Sequence, residues 1–235
     1  IALVPALLFG MFNVGYQHFL AVGQEVGFWE TFLFGALAVL PTIIVSYGVG
    51  LGIEFIIAQI RGHEIQEGFL VSGMLIPLIV PIDTPLWMVA VATAFAVVFA
   101  KEVFGGTGMN IFNVALVARA FLFFAYPTFM SGDQVWVRTG TTFGLGAGTP
   151  LDSFSGATVL GEIATAPGAT ATLTDILGNP ISFIDGFLGF IPGSVGETST
   201  LAILIGAVIL LMTGVASWKV MFSVFGGGAL MAMVF

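Results

Sequence analysis

The stretch TFLFGALAVLPTIIVSYGVGLGIEFIIAQI (Thr31–Ile60) contains one charged side chain, Glu54. A helix of about 20 mostly apolar residues crosses the hydrocarbon core of a bilayer, and this run exceeds that length. The rest of the chain agrees. Of its 235 residues, 58% are hydrophobic and 8% charged, against about 25% charged in a soluble domain. So few charges cannot cover a water-facing surface, and the chain is read as an integral membrane protein. Its formal net charge of −8 argues against a nucleic-acid partner, which needs a basic face. The lack of cysteine excludes disulfides, thiolate zinc sites and iron–sulfur ligation by this chain.

Working outward, further spans are expected at Ile1–Val22, Leu86–Phe104, Thr198–Ser217 and Lys219–Phe235. Two apolar runs are too short to cross alone. Phe69–Val80 contains Gly73 and Pro77 and is bounded by Pro81; Ile111–Tyr126 is ended by Pro127. These predict half-helices, which survive at membrane depth only where protein or a water cavity covers the freed backbone. Such interrupted segments point to a central site between repeated bundles. The expected fold is all-α and polytopic, a five-helix inverted-repeat plan whose second repeat is incomplete. Residues 1–127 form the first bundle, 128–197 an extramembrane loop rich in Gly, Thr, Ser and Asp, and 198–235 the start of a second bundle. The chain is expected to be a piece of a longer subunit. Counting both short runs as crossings, Arg61, Lys101 and Lys219 fall on one side and Arg138 on the other. The positive-inside rule then places 128–197 on the outer face.

Several residues invite chemistry. Glu54 lies at membrane depth, where a carboxylate marks an ion or proton route; the alternative is a solvated interfacial acid near Arg61 and His63. Gly48, Gly50 and Gly52 permit close backbone approach, and their spacing is not a dinucleotide fingerprint. RGHEIQEG (Arg61–Gly68) is read as a solvated loop in preference to a metal site. GGTGMNIFN (Gly105–Asn113) is expected to open the second half-helix. Asn110 and Asn113, three apart on one helical face, suit the edge of a polar heterocycle, or else capping and interhelical hydrogen bonds. Arg119, inside an apolar run, needs an acid such as Glu54 or Asp133, or a ligand. In LDSFSGATVLGE (Leu151–Glu162), Asp152, Ser155, Gly156, Ala157 and Thr158 form D-x-x-S-G-A-T. By spacing alone, Asp or Ser caps a short helix and Thr158 is an ordinary polar residue. With no nearby His to activate it, the Thr158 hydroxyl is better suited to being modified than to attacking.

The same motif resembles the acceptor site for covalent flavin attachment, in which a flavin transferase joins FMN through its phosphate to the final Thr. KEVFGGTGMNIFNVALVARAFLFFAYP (Lys101–Pro127), MSGDQVW (Met130–Trp136), SGAT (Ser155–Thr158) and FIPGSVGETSTLAILIGA (Phe190–Ala207) follow one another. From about Gly10 onward this order resembles the family of B subunits of the sodium-translocating NADH:quinone reductases (Nqr), related to the D subunits of Rnf complexes. The resemblance implies FMN on Thr158, a non-covalent riboflavin near Asn110 and Asn113, quinone near Gly50, and Glu54 on the path of transported Na+. It also implies partner subunits of a respiratory complex in the bacterial inner membrane, with NADH bound by a partner and the FMN facing the periplasm. Three features depart from the family pattern: fewer spans, Asn113-Val114-Ala115-Leu116 where the family has NPAL, and a longer loop before SGAT. The rival is the D subunit of an Rnf complex, serving ferredoxin and NAD. A flavin-free channel or transporter and a structural scaffold are the rivals of another class.

Overall fold

The computed structural model describes residues 1–62, 68–147, 155–165 and 173–234. His63–Glu67 and Asp152 lie outside the described residues. Within them the chain is helical, its only β pairing being two isolated bridges, Thr142 with Leu145 and Thr174 with Pro180.

Helix α1 (Val4–Val22) ends at Gly23, whose left-handed φ of 72° closes it; α2 (Phe28–Arg61) ends in the same way at Gly62, with φ 69°. The two pack as a close hairpin because glycine removes side chains from their contact. A Cβ on Gly35 would stand 1.6 Å from the Met11 carbonyl oxygen, and one on Gly15 would stand 1.9 Å from that of Thr31. Helix α3 (Phe69–Ile79) is the expected short piece. Its Pro77 has no N–H for the Gly73 carbonyl, and Ser46 Oγ of α2 supplies the missing donor at 2.8 Å. The neighbouring helix thus repairs the broken backbone, as an apolar environment demands.

The span Leu86–Phe104 has the expected bounds, but only its first part, α4 (Leu86–Ala96), is α-helical. A π turn at Val97–Lys101 and a 3₁₀ turn at Glu102–Phe104 complete it. Helix α5 (Val114–Ala125) begins later than the sequence predicts, because Asn113 caps it. Two short helices follow, α6 (Val159–Thr165) and α7 (Phe183–Leu188), then α8 (Thr200–Met212) and α9 (Trp218–Val234). Helix α8 stops short of the expected Ser217.

One core cluster, with Phe69, Ile76, Val89, Val97, Ala118 and Leu122, joins α3, α4 and α5. A second, with Leu7, Met11, Val14, Ala38 and Val39, joins α1 to α2. Large apolar side chains such as Ile44, Ile56, Leu116, Phe124 and Phe225 face outward. This inverted surface marks a membrane protein, with lipid as its solvent.

The α1–α2 and α3–α4 turns share one end of the bundle with the segment following α5. That segment folds back onto the bundle. His18 Nδ1 donates to the Arg138 carbonyl at 2.9 Å, Asn13 to the Ile191 carbonyl at 3.0 Å, and Gly196 N–H to the Leu78 carbonyl at 2.9 Å. At the opposite end, Arg61 donates to the Glu102 carbonyl at 2.9 Å.

Candidate functional site

Thr158 occupies the N-cap of α6. Its carbonyl accepts from Glu162 N–H at 3.0 Å and its Oγ1 from Gly161 N–H at 3.2 Å, so the hydroxyl satisfies an otherwise orphan helix donor. The residue expected to be merely polar is therefore itself the cap. Neighbouring motif residues hold the turn in place. Gly156 is buried and its N–H donates to the Asp133 carbonyl at 2.8 Å. Ala157 is half-buried and Ser155 is exposed. Glu162 accepts from Thr174 N–H at 3.1 Å, tying α6 to the following segment.

Thr158 lines an open cleft of about 240 Å3 together with Arg119, Trp136, Ile191, Ser194 and Glu197. Each comes from a phrase singled out in the sequence: Arg119 from α5, Trp136 from MSGDQVW, Thr158 from SGAT, and Ile191, Ser194 and Glu197 from FIPGSVGETST. Arg119 Nη1 pairs with Glu197 Oε1 at 3.2 Å. The expected partners Glu54 and Asp133 are thus replaced by an acid 78 positions away. Ser194 Oγ donates to the other Glu197 oxygen. The guanidinium retains donors beyond that pair and is about a third exposed, so it faces the cleft as a cation open to an anionic group. No base hydrogen-bonds to Thr158 among the described residues, which leaves its hydroxyl suited to accepting a group delivered by another protein.

At the opposite end of the bundle, Glu54 is buried and forms an ion pair with Lys101, which is buried too. This corrects the interfacial alternative: the acid is not solvated, and its partner is not Arg61. It also removes Lys101 from the loop cations that set orientation, leaving Arg61 and Lys219 against Arg138. The π turn ends at Lys101 and changes its azimuth relative to a regular helix, a departure often found at functional positions. Lys101 Nζ lies 5.9 Å from the Phe69 ring centroid, and Glu54 Oε2 makes no hydrogen bond. Gly50 belongs to the same cluster, since a Cβ there would stand 1.9 Å from the Phe69 ring. A lone lysine at the end of an apolar span was the sequence signal for this pair.

Asn110 and Asn113 do not share a helical face, because the helix starts after both. Asn113 Oδ1 accepts from Ala115 and Leu116 N–H groups at 3.0 and 3.2 Å. Asn110 accepts from Gly108 N–H at 3.2 Å and donates to the Phe112 carbonyl at 3.0 Å. Capping and loop closure account for these bonds. Of the aromatic run after Arg119, Phe121 stacks on Phe95 and Tyr126 packs edge-on to Trp87, while Phe123 and Phe124 are exposed.

A sequence model of the NQR2, RnfD, RnfE family matches residues 1–235. The B subunit of the Na(+)-translocating NADH-quinone reductase of Chromohalobacter salexigens is 45% identical over 252 aligned residues, covering 98% of this chain and 57% of that protein. The protein of the same name from Pseudomonas aeruginosa is 42% identical over 254 residues, covering 98% and 59%. That from Neisseria meningitidis serogroup B is 41% identical over 260 residues, covering 100% and 60%. The chain thus spans less than two thirds of the length of these curated relatives.

Proposed function

The chain belongs to the NQR2, RnfD, RnfE family, and from that premise we propose that it is the flavin-bearing membrane portion of a respiratory Na+-translocating NADH:quinone oxidoreductase. Electrons from NADH arrive through partner subunits and leave to quinone, and their passage drives Na+ outward across the bacterial inner membrane. FMN is held by a phosphoester to Thr158, on a segment 128–197 that faces the periplasm. The observation that carries this proposal is the convergence of Arg119, Trp136, Thr158 and Glu197 on one cleft from four separate stretches of sequence.

The side chains present fit the group. Thr158, on the cleft wall, brings a hydroxyl, Arg119 a guanidinium with donors left for a phosphate or for flavin oxygens, and Trp136 an aromatic ring. The cleft takes only part of a flavin, and its open side leaves room for the remainder. Bound FMN supplies one- and two-electron carriage between donor and acceptor. The protein's own contribution is to fix the attachment oxygen at a helix cap, to place a cation beside an added phosphate, and to hold that cation with Glu197 and Ser194. The buried Glu54, paired with Lys101, is the proposed station on the Na+ path, and the Gly50–Phe69 contact the proposed border of the quinone site. Asn110 uses both ends of its amide locally and Asn113 uses its oxygen for the helix cap, so neither is prearranged as a pair for the edge of a riboflavin and no step is assigned to them.

Attachment is tested by producing the protein with an active flavin transferase, measuring intact mass and mapping the modified peptide. The expected result is a gain of FMN less water on the peptide containing Thr158. Thr158→Ala loses the fluorescent band on a denaturing gel. A variant that keeps the band overturns the assignment, and an unmodified wild-type peptide brings the flavin-free transporter forward. An Rnf-type complex shares the flavin site and differs in its partners; the relatives' names favour Nqr.

A further inference from the structure

We propose that the cavity between α2, the α3–α4 turn and the loop 138–143 is a sodium site built from the Asp83 carboxylate, the hydroxyls of Thr42, Thr84 and Thr142, and the Leu37 carbonyl. It lies at the bundle end opposite Glu54, and it rests on the sodium-translocating function proposed above. The cavity has a volume of about 340 Å3 and is lined by all of these residues and by Arg138.

Three independent features point to a small hard cation. First, Thr84 and Thr142 are 6% and 5% exposed, and neither hydroxyl oxygen has a hydrogen-bond partner. A buried polar group left unsatisfied costs about 1–3 kcal/mol, so two on one cavity wall call for a ligand. Second, Pro41 lies inside α2 and cannot donate to the Leu37 carbonyl four residues back. The corresponding break at Pro77 of α3 is repaired by Ser46, whereas Leu37 is among the residues lining the cavity, which is what brings its carbonyl into the proposed donor set. Backbone carbonyls released from a helix are recurrent Na+ ligands in membrane transporters. Third, Asp83 lines the same cavity as these oxygens; its side chain is exposed, and partial desolvation by its neighbours raises its pKa against the pull of Arg138. The carboxylate therefore gains from a cation that reaches it.

The donor set selects the ion. All five ligands are oxygen, which suits a hard cation and not a transition metal. A single carboxylate balances one positive charge, whereas divalent sites gather several acids. Arg138 sits on the same wall, anchored through its carbonyl to His18. It balances Asp83 when the ion leaves and opposes long residence, which suits a release site.

The test is equilibrium binding of ²²Na+ to the purified, assembled complex carrying Asp83→Asn or Thr84→Val, with Glu25→Gln as a control that removes one acid from the exposed α1–α2 turn. Asp83→Asn is expected to lose one bound Na+ per complex, or to weaken one site about 10-fold or more. Thr84→Val, nearly isosteric, is expected to weaken the same site with covalent flavin content unchanged. Wild-type stoichiometry and affinity in both variants overturn the proposal. If Asp83→Asn fails to assemble, Thr84→Val gives the same decision. A wild-type complex that neither binds nor transports Na+ sinks the sodium-pump function itself; one that does, with unaltered variants, removes only this site.

Discussion

Replacing Lys101 by methionine keeps most of the side-chain volume and removes the charge. It leaves Glu54, 4% exposed, as a buried carboxylate whose Oε1 has lost its partner and whose Oε2 had none. Removing one member of a buried ion pair costs about 3–5 kcal/mol. Lys101 also covers the Phe69 ring, and methionine largely preserves that contact, so the loss is electrostatic. The reverse change, Glu54→Leu, strands the ammonium and is expected to cost a similar amount. Changing both, Lys101→Met with Glu54→Leu, removes both buried charges and is expected to cost far less than the two single changes together, because burying the pair required desolvating both groups. The assay is a double-mutant cycle on detergent-solubilised protein, with the unfolding midpoint in denaturant read by tryptophan fluorescence. A coupling energy above about 2 kcal/mol is the expected result. Additivity, with Lys101→Met costing less than about 1 kcal/mol, matches a solvent-exposed pair and refutes the buried arrangement.

Gly50→Ala forces a methyl against the buried Phe69 ring, and overpacking of this kind costs about 1–3 kcal/mol; a lowered midpoint rescued by Phe69→Leu ties the glycine to that ring. Ser46→Ala removes the donor to the Gly73 carbonyl and should destabilise by about 1–3 kcal/mol. In a Pro77→Ala background, where residue 77 regains its own N–H, the cost should fall toward zero, and an undiminished cost rejects the repair. In α7, Ser182 and Asp185 form a capping box, and the hydrogen bonds from the Ser182 hydroxyl and N–H hold the Asp185 carboxyl below the usual carboxylate range. Its folded pKa is thus depressed, so the capping contribution is present above the ordinary carboxyl range and is lost as pH falls through the folded value. Amide exchange at Gly186, whose N–H bonds to the Ser182 carbonyl at 3.2 Å, should accelerate over that interval and lose its pH step in Asp185→Asn.

The sequence announced the spans because length and apolarity are local properties, and a bilayer reads them directly. Thr31–Ile60 matches α2 within a few residues, and Phe69–Val80 matches the short α3. The start of α5 was placed too early because Ile111 and Phe112 extend the apolar run, while the side chain of Asn113 fixes the start by capping. What no local pattern carries is the identity of partners. Arg119 finds Glu197 and Glu54 finds Lys101 through folding of the whole bundle, and the distances in sequence give no hint. Yet Arg119 and Glu54 were each conspicuous as a charge in apolar surroundings, where an unpaired charge is too costly to persist, while Lys101 passed for a loop cation and Glu197 for an ordinary polar-loop acid. In a chain with so few charges, the need for a partner was legible although the partner was not. The same holds for the prolines. Pro41 and Pro77 each strip a carbonyl of its donor; Ser46 answers one, and Leu37 lines the cavity beside Asp83, so a pair of equivalent sequence signals separates into a structural joint and a candidate ion site only when the neighbouring side chains are known.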